Sequence, residues 1–117
     1  MQAEERYNIA PTPVTYSGYN FRSWLEGKWA MVFDKLEVSW EYEAQNFNLG
    51  SDLGWYVPDF WLPEHQMFIE VKGPLPTEKE LVKLRALWES KRGFTCAMLG
   101  NIPAARATVG FCFPLSS

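Results

Sequence analysis

Long apolar runs are missing from this chain of 117 residues, and so are most of the side chains that build zinc sites. Without a run of about 18 apolar residues, the sequence predicts no membrane-spanning helix. One histidine, His65, and two distant cysteines, Cys96 and Cys112, do not match the ligand spacing of a zinc site. A serine or cysteine nucleophile would have only His65 as its base, which argues against acyl-transfer chemistry.

An excess of positive charge is also missing, because the formal net charge is −3. Proteins that bind nucleic acid through charge alone are usually basic, so this balance argues against a generic nucleic-acid binder. It argues less against a site that holds a metal ion, whose charge the count omits. The charged segment Met1–Arg6 lacks the apolar stretch of a signal peptide. Both cysteines have apolar neighbours and are expected as buried thiols, so we expect a cytoplasmic location.

Hydrophobic residues make up 47% of the chain and aromatic residues 16%, which predicts one domain with a dense core. We expect an irregular arm over residues 1–18 and a single domain over residues 19–117. A helix is predicted over residues 20–36, with Asn20 as its N-cap. Its apolar residues recur at three- and four-residue steps, and they are Leu25, Trp29, Val32, Phe33 and Leu36.

Alternating or continuous apolar character predicts a series of short strands, with loop-like residues 44–54 between the first two. The predicted strands are residues 38–42, 55–62, 67–72, 94–99 and 109–113. Pro58 should interrupt or bend the second strand. Thr77 and Glu80 have the spacing of a capping box, which begins a second helix that Gly93 follows. This helix joins the third and fourth strands, so the two strands are expected to pair in parallel.

Two acids and one lysine stand out in the hairpin formed by the second and third strands. Asp59 and Glu70 are expected to lie opposite each other, with Cβ atoms about 4.5–5.5 Å apart. Glu70 and Lys72 share one face of their strand because side chains alternate. Paired carboxylates suit Mg²⁺ or Mn²⁺, and such an ion can activate water toward a phosphodiester. The lysine would orient the water or stabilise charge in the transition state.

The motif Pro58-Asp59 followed by Glu70-Val71-Lys72 resembles the signature of the PD-(D/E)XK nuclease superfamily. Segment Phe21–Glu26 is similar to the first helix of small phage-type and Holliday-junction-resolvase-like endonucleases in that superfamily. The resemblance implies a mixed α/β fold, an α+β mixed sheet with the restriction-endonuclease-like order of helix, three-stranded meander, helix and strand. It also implies a hydrolase that is a DNA-binding endonuclease.

The resemblance further assigns roles to single residues. It implies that Asp59, Glu70 and the backbone carbonyl of Val71 bind Mg²⁺ or Mn²⁺. It makes Lys72 the catalytic lysine and Glu26 a helper that binds or positions a second ion. Basic residues on the two helices are candidates for DNA phosphate contacts, and they are Arg22, Lys79 and Lys83.

Several interpretations stay open at this point. The fold can serve as a catalytically silent module that binds DNA or protein, or its aromatic-rich surface can dock onto a partner. Glu26 can instead be an ion-pair partner of Arg22 without a role in metal binding. Lys79 and Lys83 can instead belong to a solvated helix face. RNA remains an alternative substrate, and a homodimer would suit a two-fold branched DNA junction.

Overall fold

The computed structural model describes residues 12–90, 93–101 and 110–113, the last of these by backbone alone. Within these ranges the chain forms nine strands and two helices. The elements in chain order are β1 (Val14–Tyr16), β2 (Tyr19–Phe21), α1 (Trp24–Lys35), β3 (Glu41–Tyr42), β4 (Phe47–Asn48), β5 (Trp55–Tyr56), β6 (Phe60–Leu62), β7 (Met67–Val71), α2 (Glu78–Ser90), β8 (Thr95–Leu99) and β9 (Gly110–Phe113).

Five strands form one mixed sheet in the order β3-β6-β7-β8-β9. The pairs β3–β6 and β6–β7 are antiparallel, and β7 pairs in parallel with β8. Helix α2 makes the crossover between these parallel strands, which confirms the predicted pairing. Strand β9 returns antiparallel to β8. The fold is therefore a mixed α+β arrangement with a mixed sheet and two helices.

The two faces of the sheet are covered by different parts of the chain. Helix α1 and the β1–β2 hairpin pack on one face, where the buried residues are Phe21, Trp29, Ala30, Phe33, Phe60, Leu62, Ile69, Val71 and Ala97. Helix α2 and the β4–β5 hairpin pack on the other face, where they are Phe47, Phe68, Leu84, Leu87, Phe94, Cys96 and Met98. Cys96 is buried, as predicted, whereas the side chain of Cys112 lies outside the described residues.

Helix α1 begins later than its apolar pattern predicts. Ser23 is the N-cap, and its hydroxyl accepts a hydrogen bond from the Glu26 backbone N–H at 3.1 Å. The prediction of Asn20 as N-cap is wrong, because Asn20 belongs to β2. Gly27 lies where the β1–β2 hairpin crosses the helix, and a Cβ atom there would lie 2.6 Å from the Val14 Cγ1 atom. Glycine therefore permits this close approach.

The capping box of α2 forms as predicted. The Thr77 backbone N–H donates to Glu80 Oε1 at 2.7 Å, and the Glu80 backbone N–H donates to Thr77 Oγ1 at 3.2 Å. These bonds satisfy two of the free N–H groups at the start of the helix. The second carboxylate oxygen of Glu80, Oε2, pairs with the ammonium of Lys72, which directly follows β7.

Two other local predictions are corrected by the structure. Residues 1–11 of the expected irregular arm lie outside the described residues, but Val14–Tyr16 form β1 rather than irregular chain. The expected loop over residues 44–54 contains β4, which pairs with β5. The predicted interruption at Pro58 is confirmed, because the strand expected over residues 55–62 is divided there into β5 and β6.

The described helices are too short or too polar to cross a membrane.

Candidate functional site

The centre of the candidate site is a carboxyl pair on neighbouring strands. Phe60 on β6 lies opposite Ile69 on β7, so the next residues outward, Asp59 and Glu70, lie opposite each other. The Asp59 backbone N–H donates to Glu70 Oε1 at 3.3 Å. The predicted juxtaposition of these two acids is confirmed, and it follows from the hairpin register.

Asp59 is held in one orientation by the chain around it. Its residue surface is only 2% exposed. Oδ2 accepts a hydrogen bond from the Val71 backbone N–H at 2.7 Å, and Oδ1 pairs with the Arg22 Nη2 atom at 2.8 Å. A buried carboxylate needs such partners, because removing it from water without them is costly.

Glu70 is oriented by a tyrosine from the β4–β5 hairpin. The Tyr56 hydroxyl donates to Glu70 Oε1 at 3.0 Å. Burial, and then the nearby Glu70 carboxylate, raise the pKa of Tyr56 well above its ordinary value, so the hydroxyl stays a donor. The second oxygen, Oε2, makes no hydrogen bond within the part of the chain that is described. It is therefore available to a ligand.

The two carboxyl groups have raised proton affinity. Burial is the main cause for both, and for Asp59 the charges of Glu70 and then Glu26 raise the pKa further. Both pKa values lie well above the ordinary carboxyl range. Two negative charges this close in a buried place are unfavourable, so the pair retains a proton near neutral pH unless a cation neutralises it.

Arg22 supplies one cation to this group of acids. Besides its contact with Asp59, its Nε atom lies 3.0 Å from Glu43 Oε2 and its Nη2 atom lies 3.8 Å from Glu26 Oε2. The Arg22 side chain is nonetheless 62% exposed, so it approaches the acids from the solvent side. Arg22 was predicted as a DNA phosphate contact, but in the structure its guanidinium forms ion pairs with carboxylates of its own chain.

Glu26 lies inside this group rather than at a solvated helix edge, with 6% of its surface exposed. Its Oε1 atom accepts a hydrogen bond from the Tyr42 hydroxyl at 2.6 Å and from the Arg22 backbone N–H at 3.1 Å. Burial, followed by the bond to Glu26, raises the pKa of Tyr42 to about 12. Glu26 therefore adds negative potential at Asp59.

Lys72 does not join the carboxyl pair. Its ammonium lies 2.5 Å from Glu80 Oε2 and has no carboxylate oxygen of Asp59 or Glu70 within 4.0 Å. The expectation that Asp59, Glu70 and Lys72 form one cluster is therefore wrong for the lysine in this arrangement. The reason is that the capping box places Glu80 beside the end of β7, where Lys72 finds a nearer partner.

Two of the predicted phosphate contacts, Lys79 and Lys83, belong to α2. Lys79 is exposed and Lys83 is half-buried, and neither forms an ion pair in the described ranges. Acidic residues at the start of α2 lie close to them in sequence. These lysines remain predicted phosphate contacts, without Arg22 beside them.

Three residues of the site were not predicted from the sequence. Tyr42 and Glu43 reach it from the end of β3, and Tyr56 reaches it from β5. Glu43 has a positive φ of 50°, uncommon outside glycine, and its backbone N–H donates to the Asp59 carbonyl oxygen at 2.8 Å. The only sequence signal was the closeness of these residues to the ends of short strands.

The donor set fits a hard divalent ion when the backbone contributes. Glu70 Oε2 is available, Asp59 Oδ1 is held only by the exposed arginine, and carboxylate oxygens are the ligands that Mg²⁺ and Mn²⁺ prefer. Across residues 12–90 and 93–101, no three His, Cys, Asp or Glu side chains are arranged to enclose an ion. An ion here would therefore depend on two carboxylates, with backbone and water oxygens for its other ligands.

Comparisons with protein-family models, with curated proteins and with solved structures find no match to this chain. The site is therefore interpreted from its own geometry.

Proposed function

We propose that this protein is an endonuclease that depends on Mg²⁺ or Mn²⁺ and hydrolyses DNA phosphodiester bonds. One observation carries the proposal, which is the juxtaposition of the Asp59 and Glu70 carboxyl groups, both with raised pKa values. A chain retains such a pair at a cost in stability, and perturbed carboxyl groups of this kind are concentrated at functional sites.

The order of elements supports the same interpretation. The antiparallel meander of β3, β6 and β7, followed by α2 and a parallel β8, is the order that the resemblance to PD-(D/E)XK nucleases implies. Glu70 lies on β7 and Asp59 directly precedes β6, the two strands of that meander that the resemblance implies. A shared topology indicates a fold and not a function, so the proposed function depends on the chemistry of the site.

In this proposal Asp59, Glu70 and the Val71 carbonyl hold the ion, and Glu26 adds negative potential beside it. A bound ion would lower the pKa of a water molecule and stabilise charge on the phosphate. The Val71 N–H and the Tyr56 hydroxyl hold one oxygen of each acid in place, which leaves Glu70 Oε2 for the ion, whereas Asp59 Oδ1 must exchange Arg22 for it. This pre-arrangement reduces the reorganisation that ion binding requires.

Lys72 has to leave Glu80 to act on the attacking water or the phosphate. Both side chains are about one-third exposed, and a partly exposed ion pair of this kind contributes only about 0–1 kcal/mol to the free energy of unfolding. Exchange of Glu80 for a phosphate oxygen is therefore energetically accessible. In that role Lys72 would orient the water and stabilise negative charge as it develops.

A second candidate function is a catalytically silent module that binds DNA or protein. The observation that favours it is the contact between Arg22 and Asp59, because a guanidinium can neutralise the acids without a metal ion. In such a protein the carboxyl group would be a structural ion-pair partner.

The deciding experiment combines metal titration with cleavage of linear, single-stranded, flapped and four-way DNA. Wild-type protein is expected to bind Mn²⁺ in calorimetry and to cut at least one of these substrates. Asp59→Ala and Lys72→Ala are expected to fold by circular dichroism and to lose cleavage. Glu37→Gln, a matched change at an exposed acid, should cut normally.

Each alternative outcome has a distinct meaning. Normal cleavage by Asp59→Ala would refute the site assignment. Wild-type protein that binds DNA but neither binds Mn²⁺ nor cuts would favour the silent module. Size measurement by light scattering would test the proposed homodimer at the same time.

A further inference from the structure

A cleft lies on the α2 face of the sheet, and neither Asp59 nor Glu70 lines it. Its volume is about 340 Å³ and it is partly open to solvent. Binding sites for small groups have volumes of about 300–1,000 Å³. The residues that line this cleft are Glu41, Ala44, Gln45, Phe47, Trp61, Phe68 and Phe94.

The inner wall of the cleft is aromatic. Trp61 and Phe68 have ring centroids 4.4 Å apart, and Phe94 meets Phe68 edge-on at 5.0 Å. Phe47 closes the other side, with its ring perpendicular to Phe68 at 5.2 Å. Trp61 is only half-buried, so its ring is the part of this wall that a ligand can reach.

The rim of the cleft carries one negative charge. Glu41 is exposed and lies directly opposite Trp61 in the register of β3 and β6. Its side chain makes no ion pair or hydrogen bond within the described portion of the chain, and among the described residues it is the only ionisable one that lines the cleft. A carboxylate beside an accessible indole attracts a cation through charge and through the ring quadrupole.

The cleft also adjoins the outer edge of β3. This strand stands at one end of the five-stranded sheet, so among the described residues its outer side has no strand partner in that sheet. Such an edge can accept an extended peptide by backbone hydrogen bonds, with alternate side chains reaching pockets on one face. The cleft and the edge share Glu41, so one peptide can use both.

We propose that the cleft binds the guanidinium side chain of an arginine, presented by an extended segment of a partner protein that pairs with β3. A guanidinium stacks on an indole and binds a carboxylate through two parallel hydrogen bonds. A nucleotide fits less well, because Glu41 would repel its phosphate. The proposal is independent of the nuclease proposal, since it uses neither Asp59 nor Glu70.

The test uses short blocked peptides of β-forming residues with one central arginine. Binding is followed by calorimetry and by NMR shifts of the tryptophan indole groups. The same peptide with citrulline, which has the same shape without the charge, is expected to bind at least about tenfold more weakly. N-acetylarginine amide, which lacks the extended backbone, should also bind more weakly than the peptide.

Two variants test the cleft itself. Glu41→Gln should weaken binding of the arginine peptide about tenfold, whereas Glu37→Gln, another exposed acid, should not change it. Ala44→Trp should block the cleft while keeping the charge, and should also weaken binding. Circular dichroism and the cleavage assay should give wild-type results for Glu41→Gln and Glu37→Gln.

Three results would overturn the proposal. The first is equal binding of the arginine and citrulline peptides, and the second is unchanged binding by Glu41→Gln. The third is binding of N-acetylarginine amide as tight as the peptide, which would indicate a free guanidino compound instead of a partner protein. Binding of adenosine or cytidine that depends on Glu41 would indicate a nucleobase pocket and would overturn it as well.

Discussion

Substitution of Glu70 by glutamine removes one of the two ionisable carboxyl groups of the pair while preserving the shape of the side chain. In the wild-type protein, Oε1 accepts hydrogen bonds from the Tyr56 hydroxyl and the Asp59 backbone N–H. A glutamine oxygen can accept both. The amide NH₂ group replaces Oε2, which makes no hydrogen bond among the described residues. The substitution is therefore expected to change charge more than packing.

The expected effect on stability depends on pH. Burial raises the pKa of Glu70 above its ordinary value of 4.5 in the folded protein. The folded state then binds the proton more tightly than the unfolded state, so the stability of the wild type falls as pH rises from about 4.5 to above neutrality. Each pKa unit corresponds to about 1.4 kcal/mol. Because folding raises this pKa from 4.5 to about 7, we expect Glu70→Gln to be more stable than the wild type by about 3 kcal/mol near pH 8, and by little near pH 4.5.

Urea unfolding in EDTA, at pH values on both sides of this window, measures the effect. Added Mn²⁺ should reverse the order, because an ion in thousandfold excess over its dissociation constant stabilises the wild type by about 4.1 kcal/mol. The Gln variant should gain little from Mn²⁺. Equal stability of both proteins near the upper pH in EDTA, with the same pH dependence, would refute the conclusion that Glu70 is held at an electrostatic cost.

Three further predictions concern the groups around the site and the helices that carry it. Tyr56→Phe removes a donor to the Glu70 carboxylate, so the pKa of Glu70 should rise and the pH midpoint of Mn²⁺ binding should move up by about one unit. Thr77→Ala should lower the free energy of unfolding by about 1 kcal/mol in urea, through loss of the capping box. Gly27→Ala should destabilise the protein despite the better helix propensity of alanine, because its Cβ would meet Val14. The double variant with Val14→Ala should recover most of that loss, and no recovery would contradict the steric explanation.

The elements that the sequence predicted well are those with local signals. The Thr77 capping box involves residues three apart, and the parallel pairing of β7 and β8 follows from the length of the connection between them. Alternation along two adjoining strands also predicted that Asp59 and Glu70 face each other. Short strands without such periodicity, such as β1 and β4, escaped prediction.

Local sequence patterns did not predict the side-chain partners of Asp59 and Glu70. Arg22 meets Asp59 across 37 residues of chain, and Tyr56 meets Glu70 across 14. Lys72 shares a strand face with Glu70 by alternation, yet its flexible side chain pairs with Glu80 from the next helix. Side-chain partners of this kind depend on how helices and hairpins pack onto the sheet.

The amino-acid sequence by itself determined which residues are paired across the central hairpin, because side-chain alternation and turn position act over a few neighbouring residues. Only the tertiary structure decided that Asp59 is buried and Glu70 half-buried, that Arg22 rather than Lys72 contacts the pair, and that Tyr56 orients Glu70. The physical reason is that burial and charge pairing arise when distant segments exclude water together, and no short stretch of sequence encodes that by itself.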